Sequence, residues 1–399
     1  MSNDREIINA CDDSVVMSVE DTSIMLRLSR GYAPKSFYTP KTTTKKILAL
    51  GANQKSTITL AFENNIIVSP HIGDLNSLDA FEYFVRTLDT FKRFYDFEPD
   101  VIVCDKHPGY ETTKWAKEYV AKNKNVELIE VQHHYAHALS CMAEYNLDEE
   151  VLAFCFDGTG YGDDGALWGG EVLRATTRSY ERAYHIKEFS LLGGEKAIRE
   201  PRRVALSLLI EYFTKKEILE MDNALVNSFT QEEVNTFYLM YDKGINSPKS
   251  SSVGRLFDGV YALSGHLQSL GYEGESGLVM ETSAQKKTTS ESYLFSIEND
   301  SINIKKMLVE ILKEKNKNII ASKFINTIAK IIVNISMKYP DLAVVLSGGV
   351  FQNKVLLQKV IRAFKKNGIR YYIQSKIPIN DGGISLGQAY YALKKDKDE

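Results

Sequence analysis

The sequence predicts an α/β protein made of two related halves, each a mixed β-sheet flanked by helices. Three observations predict it. The order "three short strands, helix, strand, helix" starts near residue 45 and starts again near residue 151. Short β-branched apolar runs end at Gly, Asp or Asn, as strands do at turns. Stretches of 12 residues or more between them carry helical spacing of their apolar residues.

In the first half, Lys46–Leu50, Ser56–Phe62 and Ile66–Ser69 read as strands, with polar residues between them as turns. A helix follows at Leu75–Tyr95. Then come strand Val101–Cys104, helix Thr112–Lys122, strand Val126–Val131 and helix His133–Glu144. In the second half the strands are Val151–Asp157, Ala166–Ala175 and Tyr184–Phe189. A long, mostly helical stretch from Ala197 to Tyr339 intervenes, with a loop at Ser247–Ser252. Strand Leu342–Leu346, helix Asn353–Lys366, strand Arg370–Ile373 and helix Ile384–Lys394 complete the pattern. This is the element order of duplicated ribonuclease-H-like folds, the actin, sugar-kinase and heat-shock ATPase superfamily. The expected division is a first subdomain at 41–147 and a second at 148–399, with the helical insertion at about 197–340. Residues 1–40 hold too few apolar side chains for a core of their own. They are expected to pack on the main body or to be the tail of another domain.

Composition narrows the function classes. The chain has 399 residues, 44% hydrophobic and 25% charged, as two or three globular domains would have. The net charge of −3 gives no general field for nucleic acid. No secretory signal or membrane span is read. The greasiest stretch, Ile319–Met337, is broken by Ser322, Lys323, Asn326, Thr327 and Lys330, as in an amphipathic core helix. Cys11, Cys104, Cys141 and Cys155 form no CxxC pair. Disulfides and a cysteine zinc site are therefore not expected; Cys104, Cys141 and Cys155 are expected to be buried small hydrophobes, and the setting a reducing cytoplasm.

The sharpest chemical feature is Val131-Gln132-His133-His134-Tyr135-Ala136-His137, directly after an apolar strand. On a helix His133 and His137 share one face, one turn apart, and two imidazoles so placed can hold one metal. A glutamate after the first His, which would activate water for proteolysis, is absent; His134 stands there. The plainer reading is helix-start histidines satisfied by hydrogen bonds. Three of the chain's seven histidines within five residues argue against it. Asp157, ending one strand, and Asp381, opening Asp381-Gly382-Gly383, can complete the shell; each alone would be a turn or cap residue. Two His and two Asp suit Zn(II), Fe(II) or Mn(II).

Glycine-rich turns let backbone N–H groups converge on a phosphate. Gly158–Gly162 is expected to be one and Ser347-Gly348-Gly349, leading to Asn353, another. The first turn, Leu50–Thr57, sits where phosphotransferases of this fold carry Asp-x-Gly, but Ala49 takes the Asp position. ATP hydrolysis and sugar phosphorylation are therefore disfavoured. Lys55 of that turn is either a solvated lysine or a partner for a phosphate or acyl oxygen.

The strings VQHHYAH, FDGTGYGDDGALWGGE, GGEKAIREPRRVAL, SSVGRLFDGV, LSGGVFQN and NDGGISLGQA together resemble the carboxy-terminal transferase region of the HypF carbamoyltransferases of NiFe-hydrogenase maturation. The resemblance runs from Asp4 to Ala392. It implies a metal held by His133, His137, Asp157 and Asp381 and touching the nucleotide phosphate. It implies an adenylate held by Gly158, Thr159, Gly160, Ser347, Gly348, Gly349 and Asn353. Asp258 matches the place used for the ribose, and Glu273 the wall of that pocket. The implied reaction is carbamoyl transfer from carbamoyl-adenylate to the C-terminal cysteine of the partner HypE, with one zinc or iron ion. His134 and metal-bound water are the candidate bases, and Arg199 and Arg202 are candidate oxygen contacts or surface pairs. Residues 1–40 are similar to the end of a YrdC-like domain, so the adenylate-forming half is expected elsewhere, in a separate YrdC-like domain. Two other readings stand beside this one: O-carbamoylation of a small molecule, and a non-catalytic nucleotide-binding fragment.

Overall fold

The computed structural model describes residues 10–266 and 268–395. The resemblance that begins at Asp4 therefore starts outside the described residues. Two compact units divide the chain. The first comprises the described residues through Glu149, Thr176–Ser179 and those from Ile373 onward. The second comprises Glu150–Ala175 and Tyr180–Tyr372.

The first unit opens with the antiparallel pair β1 (Val15–Val19) and β2 (Thr22–Arg27). Then follow β3 (Lys35–Ala49), β4 (Thr59–Val68), α1 (Leu78–Phe94), β5 (Val101–Asp105), α2 (Glu111–Lys122), β6 (Glu127–Val131) and α3 (His133–Tyr145). The sheet order is β4-β3-β5-β6, with β4 antiparallel to β3 and the other pairs parallel. Strand pleating sends alternate residues to opposite faces. Leu48, Leu60, Ile102 and Cys104 join Phe84, Leu88 and Phe91 of α1 and Ala116 of α2 in one core. Phe84, Leu88 and Phe91 recur at helical spacing, and each buried ring or leucine contributes about 2 kcal/mol. Ser77 caps α1 by accepting the N–H of Ala80 at 3.2 Å, a contact of about 1 kcal/mol.

The structure corrects the sequence reading here in three respects. Two strands stand where three were expected: Ser56–Phe62 and Ile66–Ser69 are parts of one strand, β4. The polar Glu63-Asn64-Asn65 is not a turn. Glu63 takes φ of 52° and the β3–β4 register shifts nearby, so the kink is absorbed as an irregularity of the ladder. Residues from Lys35 already belong to β3, pairing with Val68. The segment before it packs on the main body: Leu28 accepts the N–H of His71, and Leu26 accepts from the Asn380 side chain.

In the second unit the strands are β7 (Val151–Tyr161), β8 (Leu167–Ala175), β9 (Tyr180–Ile186) and β10 (Phe189–Ser190). Helices α4 (Glu195–Arg199), α5 (Pro201–Ile210), α6 (Lys215–Leu219) and α7 (Gln231–Lys243) follow, then β11 (Lys249–Ser250), α8 (Val253–Leu263) and α9 (Glu275–Lys286). The chain continues through β12 (Ser296–Glu298), β13 (Ser301–Asn303), α10 (Lys305–Ile311), α11 (Lys317–Ser336), β14 (Ala343–Ser347), α12 (Lys354–Asn367) and β15 (Tyr371–Ile373). The sheet order is β12-β13-β9-β8-β7-β14-β15. Its antiparallel β9-β8-β7 and parallel β7-β14 repeat the first sheet's plan with one more meander strand. The insertion also contributes short strands, β11 to β13, to this sheet. By length and composition α11 is apolar enough to cross a membrane, but 72% of its apolar window is buried in the fold, as the core reading expected.

Helix α13 (Ile384–Lys395) ends the described chain and belongs to the first unit, not to the second half with which residues 148–399 were grouped. It lies on α3 and on the sheet face opposite α1. Contact, not chain order, decides this. A Cβ on Gly387 would fall 1.9 Å from the carbonyl oxygen of Ala136, so glycine lets the two helices touch backbone to backbone.

Candidate functional site

The two histidines are placed by a short strand-to-helix junction. Strand β6 ends at Val131, and Gln132 caps α3 by accepting the N–H of Tyr135 at 2.8 Å. The first two turns of α3 are buried on all sides, with His133, His134 and His137 each fully buried. The His133 and His137 rings stand edge to face, 5.1 Å between centroids. The spacing read from the sequence is the one observed.

Asp381 comes to the same place from the far end of the chain. Glu144 of α3 receives the N–H groups of Ser375, Lys376 and Ile377, which pins the returning segment. Asn380 then turns the backbone by accepting the N–H of Gly382 at 3.0 Å. On α13, Gln388 clamps both backbone groups of Gly51, and Ser385 bonds Thr57 and Thr59. The result sets Asp381 Oδ1 3.7 Å from His137 Nε2 and 4.0 Å from His133 Nε2. Those distances exceed a hydrogen bond. They fit a cation between the donors: ligands about 2.1 Å from a tetrahedral ion stand roughly 3.4 Å apart. Two imidazoles and a carboxylate are a donor set for zinc or iron.

One residue that sequence reasoning missed touches this group. Asp105, the last residue of β5, is fully buried and its Oδ2 lies 2.8 Å from His133 Nδ1. A strand-ending aspartate, like Asp157, was the available signal, but the predicted strand stopped at Cys104. His134 faces elsewhere: its Nδ1 is 3.3 Å from the Gln132 amide nitrogen. Lys55 has φ of 46° and gives its backbone N–H to Asp74 at 2.7 Å.

Asp157 and the predicted nucleotide residues lie in the second unit. Gly158–Gly162 is not a turn, contrary to expectation. Gly158, Thr159 and Gly160 continue β7, with a register shift between Phe156 and Gly160, and the chain reverses only beyond Tyr161. Close packing needs glycine on the helix against this strand: a Cβ on Gly254 of α8 would come within 2.8 Å of Gly158 Cα. Ser252, the α8 cap, holds this contact with its hydroxyl 2.7 Å from both the Asp157 and Gly158 carbonyl oxygens.

The second glycine turn is as expected. Ser347 ends β14, paired in register with Cys155 of β7. Gly348 follows with φ of 106°. Asp157 Oδ1 accepts the N–H of Gly158 at 2.7 Å and of Gly349 at 3.1 Å, which sets the carboxylate's orientation. Asn353 caps α12 by accepting the N–H of Leu356 and donates to the Gly277 carbonyl. Its side chain is thus used in the fold.

Asp258 is buried one helical turn from Arg255, 3.0 Å away, and accepts the hydroxyl of Ser276. Burial holds its carboxyl above the usual carboxylate range, against the pull of Arg255. The Arg255 Nη1 and Asp258 Oδ2 atoms are close but not aligned as a hydrogen bond. Glu273 borders the same place, 3.5 Å from where a Cβ on Gly158 would stand. Gly158, Arg255, Asp258 and Glu273 therefore lie near one another. Arg202 does not join them. It pairs with Glu200 and Glu233 and stacks on Phe229, as a structural arginine. Cys104, whose thiol burial pushes up to about 12, is an inert core residue.

Comparison with known proteins accords with these arrangements. The family described as "Carbamoyltransferase, Kae1-like Domain, second subdomain" matches residues 153–388, and the "HypF Kae1-like domain" matches 42–144. The carbamoyltransferase HypF of Synechocystis is 37% identical over 97% of this chain and 52% of its own length. A full-length HypF solved in a phosphate- and nucleotide-bound form is 35% identical, with a TM-score of 0.91 over 99% of this chain and 62% of that one. The HypF of T. kodakarensis gives 29% identity and a TM-score of 0.87 over 97% of this chain and 53% of that one. The chain spans about half the length of the curated relatives it matches. Its two matched regions and the fold they share with solved relatives show that the chain belongs to the HypF carbamoyltransferase family, in its Kae1-like region.

Proposed function

We propose that the chain transfers a carbamoyl group from carbamoyl-adenylate to the C-terminal cysteine thiol of HypE, a step in making the cyanide ligands of NiFe hydrogenase. The observation that carries this reading is the convergence of His133, His137 and Asp381 on one buried point in a chain of this family. In this reading Asp157 is the fourth donor and the ion is zinc or iron. When bound, the ion offsets charge on the adenylate phosphate and so improves AMP as a leaving group.

The chain's own residues do the rest. Gly158, Thr159, Gly160, Ser347, Gly348, Gly349 and Asn353 line the adenylate, where glycine allows a phosphate close approach to the backbone. Asp258 and Glu273 take the ribose hydroxyls. Lys55 pairs with the phosphate or the acyl oxygen. The acceptor sulfur attacks the carbamoyl carbon; the C–S bond forms as the bond to the phosphate oxygen breaks, and AMP leaves with that electron pair. His134 or solvent takes the thiol proton. In this reading a YrdC-like domain supplies the adenylate, and the setting is the cytoplasm.

The test combines metal analysis with transfer. The purified chain should carry about one zinc or iron ion and carbamoylate the thiol of a HypE tail peptide from synthetic carbamoyl-adenylate, read as a mass gain. His133→Ala with His137→Ala should lose both. Stoichiometric metal in that double variant rejects the ligand set. Metal with no transfer favours a nucleotide-binding, non-catalytic role.

A further inference from the structure

We infer that Asp105 is a positioning residue that sets the tautomer of His133 and aims its Nε2 at a metal ion. The inference rests on the metal reading above and deepens it. The sheet register delivers this aspartate: Asp105 pairs with Val131 across β5 and β6, two residues before His133. Its two oxygens have different donors. Oδ1 accepts the N–H of His107 at 2.8 Å, and Oδ2 lies 2.8 Å from His133 Nδ1. The Thr113 hydroxyl holds the Asp105 carbonyl at 2.9 Å.

A carboxylate only accepts, so the proton of the His133–Asp105 bond sits on Nδ1. A neutral imidazole then presents the Nε2 lone pair toward Asp381 Oδ1, 4.0 Å away. A lone pair facing a carboxylate inside a buried site is repulsive unless a cation lies between them. A second proton on the ring would not reach Asp381 as a hydrogen bond at 4.0 Å. A bound ion between them satisfies both groups. Histidine ligands in metal sites commonly give their other N–H to a carboxylate in this way.

Asp105→Asn discriminates. Asparagine has one acceptor oxygen for the two donors, so an NH₂ group must face either His107 N–H or His133 Nδ1. Metal affinity, measured by competition with a chromophoric chelator, is expected to fall about 10–100-fold. The metal-free variant should keep its circular dichroism spectrum and melt cooperatively at a somewhat lower temperature. Histidine ¹⁵N spectra of the metal-loaded wild-type chain give a second readout that needs no folded variant. His133 should carry its proton on Nδ1, with the signal assigned by through-bond correlation to the His133 backbone in the wild-type chain. Wild-type chain with metal and an Asp105→Asn affinity within about twofold overturns the positioning role while leaving the ligand set standing. A proton on His133 Nε2 in the loaded protein overturns it too. Wild-type chain without metal overturns the ligand set itself, and the inference with it.

Discussion

A methyl group at Gly348 would lie 2.3 Å from the Phe156 carbonyl oxygen, and the residue already sits at φ of 106°. Both faults act together in an alanine variant: left-handed backbone strain and collision with β7. Gly348→Ala should lower stability by at least about 2 kcal/mol and push Gly349 off Asp157, whose carboxylate it helps to hold. Denaturant unfolding checks the first effect. A variant as stable as wild type would show that the turn adapts. At this same scale, His134 and Asn353 illustrate what a residue's type leaves open. Each has a hydrogen bond in the fold, to Gln132 and to Leu356 and Gly277, so each carries a structural role whatever else it does.

At the scale of elements, the contact of α3 with α13 is the part that assembles the donors. Helix α3 supplies both histidines, and Asp381 stands at the entry to α13. Gly387 faces Ala136, the residue before His137, and Gly383 lies against Ser140 with 2.9 Å to a built Cβ. Gly387→Ala must separate the helices, because the obstacle is backbone rather than a mobile side chain. Helix propensity alone would favour alanine by up to about 1 kcal/mol. The collision should outweigh it: the expected result is net destabilisation of about 1–3 kcal/mol and weaker metal binding. Chelator competition beside a thermal melt reads both. A more stable variant with unchanged metal affinity would remove this contact from the account of the site.

For the whole molecule, the nucleotide reading makes a prediction independent of catalysis. The proposed adenylate residues all lie in the second unit, so AMP should stabilise that unit against heat or denaturant. At about 100 times its dissociation constant the gain should be near 2.7 kcal/mol. Asp258→Asn should remove most of the gain, because the buried carboxylate is the proposed ribose partner. No shift in melting at millimolar AMP would count against an adenine nucleotide in this pocket. The net charge of −3 accords with ligands that are bound by local groups rather than drawn by a broad field.

The class of fold, the five helices outside the insertion and the histidine pair were legible in the sequence. Those are local facts: apolar periodicity, cap residues, and a spacing of four on one helix. It also marked Asp157, Asp258, Asp381 and the glycine strings, because glycines and strand-end carboxylates stand out against apolar runs. Which of them meet is set by contacts between distant segments. That Glu63-Asn64-Asn65 stays within a strand, and that Gly158-Thr159-Gly160 does too, depends on a partner strand taking up the irregularity. That α13 joins the first unit depends on Gly387 meeting Ala136, 251 positions earlier in the chain. Asp105 gained its importance from the β5–β6 register alone. Periodicity and propensity act over a few residues, whereas the site is made by backbone contacts between segments that the chain keeps far apart.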